Sequence, residues 1–324
     1  MKIVVAGAGS IGCSLAARLR LGGEDPVLVC RSREQAEEIN KKGLRITGEG
    51  GTHTVSIKAC CSTDEIDKAD VIIITTKAYD LEKVRESMKS CLLDDGIFIA
   101  LQNGIGKADE RTVSSVVTWG ATLKSPSHVD LTADGELFIG WEDKKADERI
   151  FLAADVLSRG FKTHPVDNIL EMKYSKLIIN CCMTSIGALC GLDLGPTLKI
   201  CRARKIFIKI VEEAMAVAEA AGIKVPDFND SLDYYGFNES CALKKHIVIR
   251  IVGARFKRLT SSSLQSLRKG KPTEVDYLNG YIADRARELQ IPSPVNSRIV
   301  KMVHEIEEGK RKIEMSNLYQ VDFR

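Results

Sequence analysis

Met1-Lys2-Ile3-Val4-Val5-Ala6-Gly7-Ala8-Gly9-Ser10-Ile11-Gly12 opens the chain. Ile3 to Ala6 is a short apolar run that reads as a buried strand. Gly7, Gly9 and Gly12 then fit G-x-G-x-x-G, and apolar residues recur at helical spacing over 11–21. A glycine-rich turn between a strand and a helix has a specific chemistry. Gly7 permits the tight turn, Gly9 lets the backbone approach a pyrophosphate, and Gly12 lets the helix pack on the sheet. Gly7, Gly9, Ser10, Ile11 and Gly12 are therefore the expected phosphate cradle, at a helix N-terminus whose N–H groups lack partners.

Working outward, strand and helix alternate. Strands are expected at 2–6, 26–30, 70–75, 97–101 and 116–120, and helices at 11–21, 32–42, 81–91 and 147–158. A hairpin is expected from 44–47 and 52–57 around Gly48-Glu49-Gly50-Gly51. Two strands near 128–131 and 136–140 suggest an antiparallel extension, and 160–165 a last strand or linker. Such alternation argues for an open, mostly parallel sheet covered by helices. From Asp167 onward the periods are helical, with helices expected at 168–189, 197–221, 243–256, 272–290 and 296–308. The fold class is thus α/β: a Rossmann-type dinucleotide-binding domain, 1–166, followed by an all-helical catalytic domain, 167–324.

Composition narrows the function. The 324 residues carry 47 Lys+Arg and 44 Asp+Glu, a net charge of +3 that implies no nucleic-acid partner. No run of roughly 18 apolar residues predicts a membrane span. The N-terminal apolar run is too short for a signal peptide, so a cytoplasmic protein is expected. The ten cysteines lack CxxC spacing, and the five histidines form neither HxxxH nor HExxH. The cysteines read as reduced, small hydrophobes, and no metal site is expected.

The end of the second strand selects the cofactor. Val29-Cys30-Arg31-Ser32-Arg33 carries no carboxylate where one would bind a ribose 2′-hydroxyl. Arg31 is suited to a 2′-phosphate, which predicts NADP(H) over NAD(H). Alternatively, Arg31 or Arg33 is only an exposed charge at a helix start. Lys77, after the third main strand, falls at the sheet edge where the ligand crevice should lie.

In the helical half, Lys176 and Asn180 stand four apart among Leu177, Ile178 and Ile179. A lysine so placed is either desolvated, with its pKa pulled toward neutrality and fit to donate a proton, or snorkelling from a packed helix. Glu274 follows Pro272-Thr273; with Asp276 it would sit in the first turn of a helix, where the dipole favours a carboxylate. Periodicity leaves these alternatives open.

Together these residues resemble the ketopantoate reductases (2-dehydropantoate 2-reductases) along nearly the whole chain. The resemblance is carried by Gly7–Gly12, Arg31, Thr76-Lys77-Ala78, Gln102-Asn103-Gly104, Lys176-Leu177 through Asn180, Ser262 to Gln265, Gly270, Thr273-Glu274 to Gly280, and Ile291-Pro292-Ser293-Pro294-Val295-Asn296. It implies NADPH-dependent reduction of 2-dehydropantoate to pantoate, a step toward pantothenate and coenzyme A, at a site between the domains. It implies Lys176 as general acid, Glu274 holding the substrate hydroxyl and positioning the lysine, and Asn103, Asn180 and Ser262 on the substrate. Arg31 and Lys77 would contact the 2′-phosphate, and Asn103 and Glu274 would also reach the cofactor. The partner implied is a small 2-oxo acid, and assembly as a homodimer is left open.

The chain departs from the family in three places. A second asparagine followed by proline is replaced by Thr184-Ser185, so Thr184 keeps only a hydroxyl on the substrate-binding face. The Ser-Met-Leu-Gln-Asp run of many members reads Ser262-Ser263-Leu264-Gln265-Ser266, and 228–258 looks long. Two other readings follow: reduction of another 2-oxo acid, favoured by Thr184, or a non-catalytic NADPH-binding redox sensor, favoured by the cysteine count.

Overall fold

The computed structural model describes residues 1–106, 109–227, 232–257 and 259–323. Both ends of the long 228–258 stretch lie outside the described residues. The chain divides into two units, Met1–Gln102 with Lys107–Leu170, and Asn103–Gly106 with Glu171–Arg324.

The first unit is built on β1 (Ile3–Ala6), α1 (Ser10–Leu21), β2 (Val27–Val29), α2 (Arg33–Lys42), β3 (Leu44–Gly48), β4 (His53–Val55), β5 (Lys58–Cys60), β6 (Ala69–Ile74), α3 (Leu81–Met88), β7 (Leu92–Ala100), β8 (Thr112–Val117), β9 (Gly120–Ser125), β10 (His128–Ala133), β11 (Leu137–Gly140), α4 (Glu148–Leu157) and β12 (Thr163–Pro165). Eight strands form one sheet in the order β12-β11-β8-β7-β6-β1-β2-β5. β5, β2, β1, β6, β7 and β8 run parallel. β1 and β6 are buried along almost their whole length, which explains their unbroken apolar sequences. The strand order reverses between β1 and β6, the place where open α/β sheets form a ligand crevice.

A second sheet, β4-β3-β10-β9, lies across α1, which also packs on β1 and β2. Leu15 and Leu19 of α1 are fully buried, each contributing roughly 1.5–3 kcal/mol by leaving water. Ser14 accepts the indole N–H of Trp119 at 3.1 Å, and Trp119 stacks on Phe161 at 3.9 Å.

Several boundaries differ from the sequence expectation. The strand at 116–120 is two strands, β8 and β9. β8 was hard to read because Ser114 and Ser115 are polar yet buried, with Ser115 donating to the Ala100 carbonyl at 2.7 Å. β10 does not extend the main sheet but pairs parallel to β3, while β11 does run antiparallel to β8. β5 is an unanticipated parallel edge strand.

The second unit contains α5 (Ile169–Cys190) from Glu171 onward, α6 (Leu194–Lys199), α7 (Cys201–Ala220), α8 (Tyr234–Glu239), α9 (Ala242–Arg255), α10 (Ser262–Arg268), α11 (Asn279–Glu288) and α12 (Pro294–Glu307). α5 is anchored by the Tyr174 hydroxyl donating to the Ala214 carbonyl at 2.8 Å, and by Tyr234 donating to the Ser175 carbonyl at 2.6 Å. The helix expected over 197–221 breaks at Ile200, which is extended (φ −78°, ψ 124°). Arg204 satisfies the freed carbonyls of Leu198 and Lys199 at 2.9 and 2.7 Å.

The helix expected over 272–290 does not begin until Asn279. Thr273 accepts the Val275 N–H on its hydroxyl at 3.2 Å and sends its own N–H to Glu307 at 2.7 Å. These bonds hold 273–275 out of a helix. Glu274 precedes a single 3₁₀ turn, Val275–Tyr277, so neither it nor Asp276 occupies the first turn of an α-helix.

Candidate active site

In the first unit, Gly7 turns with φ +124°, and a side chain there would press on Thr75 and Thr76. A Cβ on Gly12 would sit 1.9 Å from the Gly7 carbonyl, so α1 starts this close to β1 only with glycine. Gly9 has open space where its Cβ would project and is exposed. α1 has no side-chain cap and no acidic residue in its first turn. The N–H groups around Ser10, Ile11 and Gly12 are therefore left to a ligand, with the positive end of the helix dipole behind them.

Two side chains that sequence reasoning missed shape this loop. Thr75 donates its hydroxyl to the Gly7 carbonyl at 2.7 Å. Gln35 on α2 donates its amide to the carbonyls of Ala8 and Pro126, both at 3.0 Å. Neither residue carries a sequence signal, because both act through tertiary contacts with main-chain atoms. At the same sheet edge, Thr76 Oγ1 and Gln102 Oε1 are buried with no hydrogen-bond partner among the described residues. Arg31 follows β2 and is exposed, with no ion pair among the described residues. Arg33 instead pairs with Glu37 at 3.6 Å. Lys77 is half-buried at the turn after β6. An open glycine cradle, unpartnered polar atoms and an uncommitted arginine fit a phosphorylated dinucleotide.

In the second unit, α5 presents Lys176, Asn180 and Thr184 one turn apart on one face. Burial lowers the Lys176 pKa from 10.5 to about 8, against the opposing pull of the Glu274 carboxylate. Glu274 is buried at 4% exposure. Asn180 is half-buried, and its side chain has no hydrogen-bond partner among the described residues. Thr184 donates its hydroxyl to the Asn180 carbonyl at 2.7 Å. Ser262 stands half-buried in the first turn of α10, likewise without a partner. The preceding cap, Ser261, lies against Gly187 of α5, which brings this turn to the helix carrying Lys176.

Asn103 joins the same unit. Ile105 donates its N–H to the Tyr277 carbonyl at 3.2 Å. Gly104, with φ +84°, leaves no room for a Cβ, which would lie 2.3 Å from that oxygen. The short run holding Asn103 is thereby tied to the turn that follows Glu274. Asn103, Lys176, Asn180, Thr184, Ser262 and Glu274 thus all belong to the second unit, whereas Gly7–Gly12, Arg31 and Lys77 belong to the first.

All ten cysteines are free. Burial pushes the Cys13 and Cys30 thiols up to about 12, so these behave as packing groups. Among the described residues, no group of His, Cys, Asp and Glu could hold a metal, and no helix is long and apolar enough to cross a membrane.

A glycine-rich βα turn at a strand-order reversal, together with a desolvated lysine and a buried carboxylate, fits one class: a dinucleotide-dependent oxidoreductase. Comparison with known proteins agrees. The family model for ketopantoate reductase PanE/ApbA matches residues 3–143, and that for its C-terminal part matches 168–307. The chain is 31% identical over 304 residues to the 2-dehydropantoate 2-reductase of Pyrococcus horikoshii, covering 91% of this chain and 94% of that one. It shares its fold with a PanE/ApbA family ketopantoate reductase from Ralstonia eutropha JMP134, at TM-score 0.83 and 26% identity over 96% of this chain and all of that one. D-mandelate dehydrogenase, solved with NADH and anilino(oxo)acetate, is similar at TM-score 0.81 and 25% identity, over 95% of this chain and 99% of that one. The protein belongs to the ketopantoate reductase family.

Proposed function

We propose that this protein reduces 2-dehydropantoate to pantoate with NADPH, a cytoplasmic step toward pantothenate and coenzyme A. The observation that carries the reading is the pairing of Lys176 with Glu274. A lysine with a pKa of about 8 is mostly protonated at neutral pH yet releases its proton readily. When bound, the dihydronicotinamide supplies the hydride. Gly7, Gly9, Ser10, Ile11 and Gly12 would hold its pyrophosphate, Arg31 and Lys77 its 2′-phosphate, and Asn103 and Glu274 its reactive end.

Lys176 stabilises negative charge growing on the C2 oxygen and then delivers the proton there. Glu274 keeps the lysine charged and orients it, and it shares the single proton of the substrate's terminal hydroxyl with Thr184 in a three-centre hydrogen bond. Asn103, Asn180 and Ser262 have side-chain donors to spare, which suits a carboxylate and a carbonyl. Thr184 has spent its donor on α5, so it acts on substrate only as an acceptor.

A second reading is favoured by that same hydroxyl and by the likeness to D-mandelate dehydrogenase: reduction of a different 2-oxo acid. The test follows NADPH oxidation with ketopantoate beside 2-oxoisovalerate and NADH. Fast turnover with ketopantoate and NADPH alone supports the first reading. Faster turnover of another 2-oxo acid selects the second.

A further inference from the structure

Glu274 is held in place by a short segment around a single 3₁₀ turn ahead of α11, and this segment is fastened at three points. At Thr273 the main-chain N–H goes to Glu307 of α12 at 2.7 Å. At Asp276 the carboxylate meets His304 Nε2 at 2.8 Å, while His304 Nδ1 meets the other oxygen of Glu307 at 3.0 Å. At Asn279 the side-chain oxygen accepts the hydroxyl of Ser185 on α5. Asn279 then donates to Asn296 at 2.8 Å, and Asn296 donates to Glu213 at 2.7 Å. Glu213 also accepts the N–H groups of Val295 and Asn296 at 2.8 and 2.9 Å.

The fastenings fall three residues apart, at 273, 276 and 279. They tie the segment to α12 on one side and to α5, the helix of Lys176, on the other. Ser185, Asn279 and Asn296 are at most 2% exposed, and their hydrogen bonds run in one direction toward the Glu213 carboxylate. A buried chain of this kind is costly to leave half-made, so its members hold one geometry. Ser185 occupies the place where the family pattern described above has proline, a residue that could not make this bond to Asn279.

We infer that Glu307, His304 and Ser185 are positioning residues: they fix the segment 273–279 and thereby the distance between Glu274 and Lys176. None of the three need touch substrate. A misplacement of about 1 Å at such a pair can reduce turnover about a hundredfold.

The inference rests on the proposed reductase chemistry only for its kinetic arm. The first measurement is the titration of Lys176, followed through its ¹³C-labelled ε-carbon by NMR, with Lys176→Arg assigning the signal. Glu307→Ala and His304→Ala should loosen Glu274 and let Lys176 titrate at lower pH than in the wild type. Glu307→Gln keeps a carbonyl acceptor for Thr273 and should restore the wild-type titration. In the kinetic arm, Glu307→Ala and Ser185→Ala should lower kcat about ten- to a hundredfold with the KM for NADPH unchanged.

An unchanged Lys176 titration in a folded Glu307→Ala variant overturns the inference. So does loss of thermal stability in all three alanine variants with kcat and titration unmoved. If wild type turns over no ketopantoate, the function proposed above fails, while the titration still decides this one.

Discussion

Thr184 Oγ1 donates to the carbonyl of Asn180, one turn back on α5, at 2.7 Å. The hydroxyl proton is thus committed to the helix, and only lone pairs remain for a ligand. Ketopantoate has a terminal hydroxyl that can donate; 2-oxoisovalerate has none. Thr184→Val should therefore lower kcat/KM for ketopantoate about tenfold, the worth of a typical hydrogen bond, and leave 2-oxoisovalerate unchanged. Equal losses for both substrates would show that Thr184 does not contact the hydroxyl.

As the proposed general acid, Lys176 should set the pH dependence. Its pKa is lowered from 10.5 to about 8 by burial, so the ammonium form is lost above pH 8 rather than above 10. The rate of ketone reduction should be level below pH 7 and fall as pH rises through 8. Oxidation of the alcohol needs the neutral amine and should rise over the same interval. Lys176→Ala should reduce kcat by roughly 10²–10⁴ with NADPH affinity retained. Steady-state rates in both directions between pH 6 and 10 check this, and a flat profile would remove Lys176 as the acid.

Arg31 is exposed and uncommitted, whereas Arg33 pairs with Glu37. Arg31→Ala should weaken NADPH by roughly 10- to 100-fold, as expected for a hydrogen bond to a charged group of about 1.5–3 kcal/mol. NADH should change little. Arg33→Ala should leave both nearly unaltered. Fluorescence titration of the two cofactors distinguishes the arginines, and equal loss of NADPH and NADH in Arg31→Ala would contradict the assignment.

The glycines of the first turn should separate fold from binding. A methyl at Gly12 would collide with the Gly7 carbonyl, while one at Gly9 meets nothing in the protein. Gly12→Ala should be poorly folded. Gly9→Ala should melt near the wild-type temperature but bind NADPH and NADH more weakly, because its methyl intrudes where the pyrophosphate approaches. Thermal melts beside cofactor titration give both readings, and unimpaired binding by Gly9→Ala would move the pyrophosphate elsewhere.

The strand-turn-helix of residues 3–21, the parallel strands of the first unit and the helical second half were legible from the sequence, since short-range periodicity and glycine placement carry that information. So was the spacing of Lys176, Asn180 and Thr184, because a helix turns predictable residues onto one face. The second sheet was not: β9 pairs with β10 and β10 with β3 across α1, and polar Ser114 and Ser115 hid β8. The resemblance to a family, rather than periodicity, singled out Glu274.

By itself, then, the sequence determined the glycine-rich strand-turn-helix, the arginine after the second strand and the lysine-bearing helix, all of which depend on residues close in the chain. Tertiary structure alone decided where Glu274 stands. Its segment would continue as a helix on local preference, but long-range bonds from Glu307, His304 and Ser185 hold it open. Tertiary structure also decided the environment of Lys176, because its pKa reflects burial opposed by Glu274, a residue far away in sequence. Desolvation and hydrogen bonding between distant residues act only once the chain has folded, so no local pattern records them.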